Sequence, residues 1–378
     1  MKLATQCVHE GTYFDPKTGG INTPIFTSSS FEYVDRENAH YPRYFNTPNQ
    51  EAVIRKLCSL EGAEDGVLFS SGMAAISTTI FTFVGAGDHV VLMDDLYGGT
   101  HAFVTDMFRD FGIGFSFVSS SVEAIQQAVI SSTKVIVIES PTNPLLNVVD
   151  IAQVADFAKN KGIMTIIDNT FATPINQTPI DLGVDVVVHS GTKYLGGHSD
   201  LCCGVALASR EHAARIRSRA CHLGGSLNAT TAYLLERSLK TLALRVGQQS
   251  DNALGIAQFL DEHPAINKVN YPGLKNFHGY AIAQKQMRKY GGMLSFELDN
   301  SMNKTAEFLS RLKHIRSAVS LGGVETLICS PARTSHEKMT ADERKKVGIS
   351  DSLLRLSVGI EHVDDLIEDI EQALNFER

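Results

Sequence analysis

Short apolar runs rich in β-branched residues alternate with helical patterns through the first half of the chain. The runs are predicted as buried strands at residues 66–70, 89–93, 134–138, 163–168, 184–188 and 204–208. Helical patterns lie at about residues 49–62, 100–111, 121–131, 150–161 and 172–182, and another helix opens at Ser71. Because parallel strands need crossover connections, this alternation predicts an α/β fold with a mostly parallel sheet covered on both faces.

The pattern changes after residue 208, where a second and smaller α/β unit follows two predicted helices at 210–223 and 229–263. Its strands are expected at 292–298, 317–320, 325–329 and 353–358, and an amphipathic helix with an acidic outer face at 362–376. A length of 378 residues also favours one large and one smaller domain. We therefore predict an N-terminal arm at 1–45, a large domain at 46–236 and a C-terminal domain at 237–378.

The first 45 residues are rich in Gly, Pro, Ser, Thr and Tyr and show no sustained helical period. They are predicted to form an extended arm that lies on another part of the molecule or on another subunit. The arm ends near Tyr41 and Arg43, and an arginine between aromatic hydroxyls is suited to bind an anion. Read alone, the same segment also fits an ordinary surface loop.

The charge and composition exclude several classes of function. A net charge of −8 argues against a nucleic-acid or anionic-membrane surface, and 43% hydrophobic with 20% charged residues is ordinary for a globular protein. No segment resembles a membrane span or a signal peptide, and the six cysteines lack metal-ligand spacing. Adjacent Cys202 and Cys203 cannot both point into one site from a strand. We expect a cytoplasmic protein with reduced thiols and no bound metal.

Polar side chains follow the predicted strands at the points where they end. In open α/β sheets, ligands bind beyond the carboxyl ends of the strands. An aromatic, an amide, a carboxylate, two hydroxyls and an amine are found there, namely Tyr97, Asn143, Asp168, Ser190, Thr192 and Lys193. Their convergence predicts a binding site for a small molecule at this edge.

Lys193 follows a buried strand, in the stretch Ser190-Gly-Thr-Lys193. Burial disfavours an ammonium and lowers the pKa of the amine, as a Schiff-base lysine requires. Asp168 ends another buried strand, where a carboxylate needs a cationic partner or several donors. A protonated pyridine nitrogen would serve, and the rival roles are a metal ligand or a helix N-cap. No His or Glu follows Asp168 at ligand spacing, which argues against the metal.

Two further signals can be interpreted in more than one way. Ser71, Gly72 and Met73 lie where a predicted strand meets a helix start, which is either a phosphate cradle or a tight turn. Arg355 lies inside an apolar strand, so it is either paired internally or points into a cleft to bind a carboxylate.

With these residues assembled, the chain resembles the Cys/Met-metabolism, or trans-sulfuration, family of pyridoxal phosphate (PLP) enzymes. The resemblance runs over nearly the whole chain. It rests on Tyr41-Pro-Arg43, Ser70-Ser-Gly-Met73, Tyr97-Gly-Gly-Thr100, Glu139-Ser-Pro-Thr-Asn-Pro144, Asp168-Asn-Thr170, Ser190-Gly-Thr-Lys193, Ser320-Leu-Gly-Gly-Val-Glu-Thr326 and Arg355-Leu-Ser-Val-Gly359.

The resemblance implies an aspartate-aminotransferase-like (type I) fold, with residues 46–236 binding PLP, in a homodimer or homotetramer with shared active sites. Lys193 would be the Schiff-base lysine, and Tyr97 would stack on the ring and act with Lys193 in catalysis. Asp168 would pair with the pyridine nitrogen. The phosphate would be held by Ser71, Gly72, Met73, Ser190 and Thr192, and by Tyr41 and Arg43 of a neighbouring subunit. The α-carboxylate of an amino-acid substrate would bind Arg355, helped by Asn143 and Ser320.

Departures from the family pattern bear on the reaction. Cystathionine γ-synthases and γ-lyases usually carry an arginine where this chain has Ala102, and an acidic residue where it has His40. Methionine γ-lyases usually carry a cysteine in place of Gly99. We therefore expect a PLP-dependent carbon–sulfur lyase, with cystathionine β-lyase slightly favoured over γ-lyase. The alternatives are a methionine γ-lyase, or a γ-replacement transferase such as cystathionine γ-synthase or a homoserine-ester sulfhydrylase.

Other interpretations of the chain are less favoured. His40 and His101 either contact the distal end of the substrate or are exposed loop histidines. A catalytically silent binding protein would not need Lys193, Asp168 and Arg355 together. A dinucleotide-binding enzyme also fits the alternation of elements, but no G-x-G-x-x-G follows the first strand.

Overall fold

The computed structural model describes residues 1–36, 39–299, 302–334, 340, 344 and 348–375. Its helices are α1 Leu3–His9, α2 Pro48–Glu61, α3 Gly72–Phe83, α4 Gly98–Met107, α5 Val122–Ala128, α6 Ile151–Lys161, α7 Thr173–Asn176, α8 Arg210–Leu223, α9 Ala229–Leu239, α10 Leu242–Glu262, α11 Tyr280–Gln286, α12 Met302–Arg311 and α13 Val363–Leu374. Its strands are β1 Asp65–Phe69, β2 His89–Met93, β3 Gly114–Val118, β4 Thr133–Glu139, β5 Met164–Asp168, β6 Val186–His189, β7 Gly204–Ala208, β8 Ile266–Asn270, β9 Met293–Leu298, β10 Arg316–Ser317, β11 Leu327–Cys329 and β12 Leu353–Ser357.

Seven strands form the first sheet, in the order β1-β7-β6-β5-β4-β2-β3. The five strands β2 to β6 all run parallel to one another. Strand β7 runs antiparallel to both β1 and β6. The mostly parallel α/β sheet expected from the sequence is therefore confirmed. The edge strand β3 was not predicted, because its residues are only half-buried and its apolar run begins with a glycine.

Five strands form the second sheet, in the order β10-β11-β12-β9-β8. Its central strand β12 carries Arg355, which is opposite Ser295 on one side and Cys329 on the other. The sequence analysis missed β8, and it placed the end of the last helix at Phe376, outside the described residues. The division at residue 236 stays a prediction. None of the helices in the described part of the chain is long and apolar enough to cross a membrane.

Two predicted helices were wrong in their extent. The helix expected at 172–182 is a single turn, α7, followed by a 3-10 turn at Pro179–Leu182. Pro179 has no N–H to continue the helix, and its ring would clash with the carbonyl of the preceding turn. The long helix expected at 229–263 is broken between α9 and α10. There Thr241 donates a hydrogen bond to the Ser238 carbonyl at 3.1 Å, a local bond that competes with the helix.

The N-terminal arm begins with a helix that the sequence analysis did not predict. Helix α1 docks on α2 through Lys56, whose buried Nζ donates hydrogen bonds to the carbonyls of Cys7, at 3.1 Å, and Glu10. Gly11 makes the close approach possible, because a Cβ there would lie 2.3 Å from the Ala52 carbonyl oxygen. Between residues 12 and 41 the described chain has no helix or strand. The expected extended arm therefore begins only after α1.

Replacing Lys56 by Met should destabilise this docking. The substitution keeps the length of the side chain but leaves the two buried carbonyls without a donor, at a cost of about 1–3 kcal/mol. The free energy of unfolding in urea measures the loss, and a matched Lys134→Met variant at an exposed position should lose much less. Equal stability of the two variants would contradict the assigned role.

Candidate active site

The carboxyl edge of the first sheet and one face of the second sheet line a common cavity of about 730 Å³. It contains nearly all the residues that the sequence analysis singled out. Those lining it are Ser71, Gly72, Met73, Tyr97, Asn143, Asp168, Ser190, Thr192, Lys193, Ser320 and Arg355. Side chains that are far apart in the sequence are thus brought to one place by the packing of the two sheets.

The N-terminus of α3 forms one end of the cavity. Ser71 is the N-cap, and its Oγ accepts a hydrogen bond from the Ala74 N–H at 3.1 Å. The N–H groups of Gly72 and Met73 precede the first intrahelical bond, so they are available to an anion at the positive end of the helix. A Cβ on Gly72 would lie 2.8 Å from the Cβ of Ser190. A glycine is therefore needed for the helix to start against the Ser190 loop.

The loop after β6 is held by Thr192. Its hydroxyl accepts a hydrogen bond from the Cys203 N–H at 3.0 Å and donates one to the Cys203 carbonyl at 3.2 Å. Cys203 is fully buried, whereas its neighbour Cys202 is exposed and lines the cavity. The expectation that these two cysteines cannot both enter one site is confirmed.

Lys193 follows this loop and reaches the second sheet. Its Nζ donates a hydrogen bond to the Ser320 Oγ at 3.0 Å. Burial lowers the pKa of the Lys193 amine, and the positive charge of Arg355 lowers it further. Ser320 has a φ of 83°, a left-handed conformation that is strained for a residue with a side chain. Both effects disfavour the charged amine, and the neutral amine is the nucleophilic form.

Arg355 lies beside this lysine and is itself 6% exposed. Its Nη1 donates to the Asn143 Oδ1 at 2.9 Å, and its Nη2 donates to the Ser320 carbonyl at 3.0 Å. Its Nε is buried and has no partner among the described residues. Asn143 and Ser320 therefore hold the guanidinium at the cavity wall, and its remaining Nη hydrogens suit the binding of a carboxylate.

Two carboxyl groups are adjacent on neighbouring strands, since Glu139 of β4 pairs in register with Asp168 of β5. Both hydrogen bonds that described residues donate to Asp168 come from Thr170 and end on one oxygen, Oδ1. Burial raises the pKa of Asp168. Burial and the charge of Asp168 raise the pKa of Glu139 well above its usual value. A cation beside Asp168 would stabilise the ionised form of both carboxyl groups.

Tyr97 is positioned by Glu139 and by the absence of a side chain at Gly99. The Tyr97 N–H donates to the Glu139 Oε2 at 2.9 Å, and the side chain is 46% exposed. A Cβ on Gly99 would lie 2.5 Å from the Tyr97 Cε1 and 3.2 Å from the Met73 sulfur. The ring of Tyr97 therefore occupies space that only a glycine at position 99 leaves free.

Behind the cavity a buried carboxylate joins the ends of β5 and β6. The Glu61 Oε1 lies 2.6 Å from the His189 Nε2, and both side chains are at most 1% exposed. The same oxygen accepts a hydrogen bond from the Asn169 Nδ2 at 2.9 Å. Because Asn169 follows Asp168 and His189 precedes Ser190, Glu61 sets the spacing of the two loops. The sequence analysis missed Glu61, which has no local signal at the end of α2.

Tyr41 and Arg43 lie outside the cavity of their own chain. The Arg43 Nη1 donates to the Cys221 carbonyl at 2.8 Å, and its guanidinium lies over the rings of Tyr41 and Tyr44, 5.7 and 5.5 Å from their centroids. Tyr41 is 41% exposed. Their expected role toward the phosphate of a neighbouring subunit stays a prediction.

The two candidate histidines are also outside this cavity. The ring of His101 stacks on Phe117 at 4.2 Å, and the His40 Nδ1 is 2.5 Å from the Asn46 carbonyl oxygen. Contact with a substrate bound in the same chain is therefore not supported. Several lining residues had been given no role by the sequence analysis, namely Glu139, Thr170, Phe171, Cys202, Cys329 and Arg333.

The residues present fit PLP. The free N–H groups of Gly72 and Met73 lie in a cradle that a Cβ would fill, which suits a phosphate. The second oxygen of Asp168 receives no hydrogen bond from the described residues and suits a protonated pyridine nitrogen. Lys193 supplies an amine whose pKa is lowered, as attachment to an aldehyde requires.

Replacing Gly99 by Ala should displace the Tyr97 ring. A small misplacement of a catalytic or stacking group can lower kcat/KM by on the order of tenfold to a hundredfold. The absorbance and circular dichroism of the bound cofactor measure the change in ring stacking. Gly247→Ala is the matched control, because a Cβ there meets no atom within 4 Å. Unchanged cofactor spectra in the Gly99 variant would contradict this packing.

Replacing Glu61 by Ala should destabilise the protein by about 1–3 kcal/mol, because the buried His189 Nε2 loses its partner and the Asn169 amide keeps only its bonds to Gln177. Glu61→Gln keeps an oxygen for these donors and should lose less. Urea unfolding measures both losses, with Glu262→Ala at an exposed helix end as the control. A loss in Glu61→Ala no larger than in the control would refute the assigned role.

Comparison with known proteins gives matches over nearly the full length. The model of the family described as Cys/Met metabolism PLP-dependent enzyme matches residues 4–375. A cystathionine beta-lyase of Coxiella burnetii is 42% identical over 379 residues, which cover 98% of this chain and 97% of the relative. A cystathionine gamma-lyase of Bacillus subtilis is 44% identical over 379 residues, which cover 99% of each protein.

Among solved structures, cystathionine gamma-lyase from Lactobacillus plantarum, complexed with L-serine, matches with a TM-score of 0.95 and 40% identity. The match covers 99% of this chain and 98% of that one. The expected aspartate-aminotransferase-like fold and the dependence on PLP are thereby confirmed. The chain belongs to the Cys/Met-metabolism family of PLP-dependent enzymes.

Proposed function

We propose that this PLP-dependent lyase of the trans-sulfuration family cleaves cystathionine at its β-carbon, releasing homocysteine, pyruvate and ammonia. The observation that carries the proposal is the joint attachment of Lys193 and Arg355 to Ser320 in one cavity. It places an amine and a carboxylate-binding guanidinium side by side, as the reaction of an α-amino acid requires. Ala102, where γ-synthases and γ-lyases usually carry an arginine, favours β-cleavage over γ-cleavage.

The substrate is oriented by the residues around Arg355. The guanidinium of Arg355, held by Asn143 and Ser320, would bind the α-carboxylate. When bound, PLP supplies an electron sink for the negative charge that develops at the α-carbon. Asp168 would hold a proton at the pyridine nitrogen, and the ends of α3 and β6 would bind the phosphate. The substrate α-carbon would then lie beside Lys193.

Proton transfer is assigned to two side chains. Lys193, once its amine is free and uncharged, would remove the proton from the α-carbon. The bond between Cβ and sulfur then breaks, and the sulfur leaves as the homocysteine thiolate. Tyr97, which lines the same cavity, would give this sulfur its proton. Water adds to the remaining three-carbon fragment, which leaves as pyruvate and ammonia.

We also propose that two or four copies of the chain assemble with shared active sites. Arg43 and Tyr41 lie outside their own cavity, which supports a role at a neighbour's phosphate. Residues 12–36 lack helix and strand and expose Ile21, Tyr33 and Val34 by 65–75%. Apolar exposure on an extended arm supports its contact with another subunit. We further propose that the protein is cytoplasmic and that its large domain ends at residue 236.

Incubating the holoenzyme with cystathionine and identifying the keto acid by mass spectrometry tests the reaction. Pyruvate is expected, and 2-oxobutyrate would mean γ-cleavage instead. Lys193→Ala should reduce turnover by at least on the order of a thousandfold, because it removes the Schiff-base and proton-transfer group. Lys159→Ala, at an exposed position of α6, is the matched control. Substantial residual activity in Lys193→Ala would overturn the assignment.

The runner-up reactions are distinguished by other substrates. Release of a thiol and 2-oxobutyrate from methionine would indicate a methionine γ-lyase. Formation of cystathionine from an acyl-homoserine and cysteine would indicate a γ-replacement transferase. Either result, without pyruvate from cystathionine, would replace the proposed reaction.

A further inference from the structure

A second arginine, Arg333, lines the outer part of the cavity. It lies in the 3-10 turn Pro331–Arg333 that follows β11. The turn is closed by the Arg333 N–H to the Ser330 carbonyl at 3.0 Å, and by the Thr334 hydroxyl to the same carbonyl at 2.8 Å. The backbone at Arg333 is thus held in place while its side chain is exposed to the cavity.

The guanidinium of Arg333 is available to a ligand. Within the described ranges, no hydrogen bond or ion pair involves its side chain. Among the described residues, the acidic ones that line the cavity are Glu139, which is buried, and Asp168, which is half-buried, and both belong to the first sheet. Their oxygens accept from Tyr97 and Thr170 respectively. An unpaired cation on the wall of an amino-acid site is suited to bind an anionic group of the substrate.

Arg333 and Arg355 face different parts of the same substrate path. Cys329 at the end of β11 is opposite Arg355 in register, and Arg333 follows four residues later. Ser330 is extended and the 3-10 turn begins only at Pro331. At about 3.3 Å per extended residue and about 2 Å per 3-10 residue, the two backbones are separated by no more than roughly 12 Å along and across the strands. Arg355 is buried and tied to Asn143, whereas Arg333 is exposed. The cavity therefore has an inner and an outer carboxylate-binding position.

We propose that Arg333 binds the distal carboxylate of a substrate that carries an amino-acid group at each end of a thioether. The inference rests on the proposed function and names the substrate feature that the enzyme selects. Position 102, where cystathionine γ-synthases and γ-lyases usually carry an arginine, is alanine here and does not line the cavity. Arg333 supplies from the second sheet the cation that is absent there. Methionine and other thioethers with one amino-acid end have no group for it.

If Arg333 only attracted anions in general, its loss would affect every amino-acid substrate equally. If it binds the distal carboxylate, its loss affects only substrates that carry that group. The holoenzyme is therefore assayed with cystathionine and with S-propylcysteine, which keeps the β-thioether and lacks the distal carboxylate. Arg333→Gln should lower kcat/KM for cystathionine by on the order of tenfold to a hundredfold, mainly through KM. It should change kcat/KM for S-propylcysteine by less than about twofold. Arg333→Lys should restore part of the loss, because it keeps the charge without the planar fork.

Arg316→Gln is the matched control, since Arg316 is exposed on β10 and does not line the cavity. It should leave both substrates unaffected. Equal losses for the two substrates in Arg333→Gln, or no loss for cystathionine, would overturn the inference while leaving the proposed function intact.

Failure of the proposed function gives a different result. In that case the wild-type enzyme releases no pyruvate from cystathionine, whatever residue is at position 333. A direct binding titration then decides the inference, because Arg333→Gln should weaken binding of cystathionine and not of S-propylcysteine. Equal binding of cystathionine by wild type and variant would overturn it.

Discussion

The contact of Ser320 with two basic side chains is the interaction on which the site depends, because it joins the two sheets. Its hydroxyl accepts from Lys193 of the first sheet, and its carbonyl accepts from Arg355 of the second. Arg355 also donates a hydrogen bond to Asn143, which follows strand β4 of the first sheet. The amine and the carboxylate-binding group are held at one distance only if the two sheets keep their relative position. Ser320 has a strained, left-handed φ, and it is the residue that makes the hydrogen bonds to both Lys193 and Arg355.

The charges of the cavity are segregated. The basic groups of Lys193 and Arg355 lie near the second sheet, and the charge of Arg355 adds to burial in lowering the pKa of the lysine. The carboxyls Glu139 and Asp168 meet at the edge of the first sheet, where burial raises the pKa of both. This division of charge suits PLP, since Asp168 would hold the protonated ring nitrogen and Lys193 would bond the aldehyde.

Much of the fold and site could be predicted because its signals are local. Buried strands such as β2 and β7 coincide with the predicted apolar runs, and the residues at strand ends line one cavity as expected. The predictions failed where a local effect interrupts a pattern or a tertiary contact creates an element. Pro179 ends a helix whose apolar spacing continues, Thr241 breaks another, and α1 depends on the buried Lys56 that caps its carbonyls.

The sequence by itself determined the alternation of strands and helices, and hence the edge at which Asp168, Ser190 and Lys193 collect. Only the tertiary structure decided which distant residues join them. Glu61 and His189 are separated by 128 positions and form one buried pair, and Arg333 enters the cavity from the second sheet. Such contacts depend on how the sheets and helices pack. Periodicity and strand ends report only on a residue's immediate neighbours, so they contain no signal for these contacts.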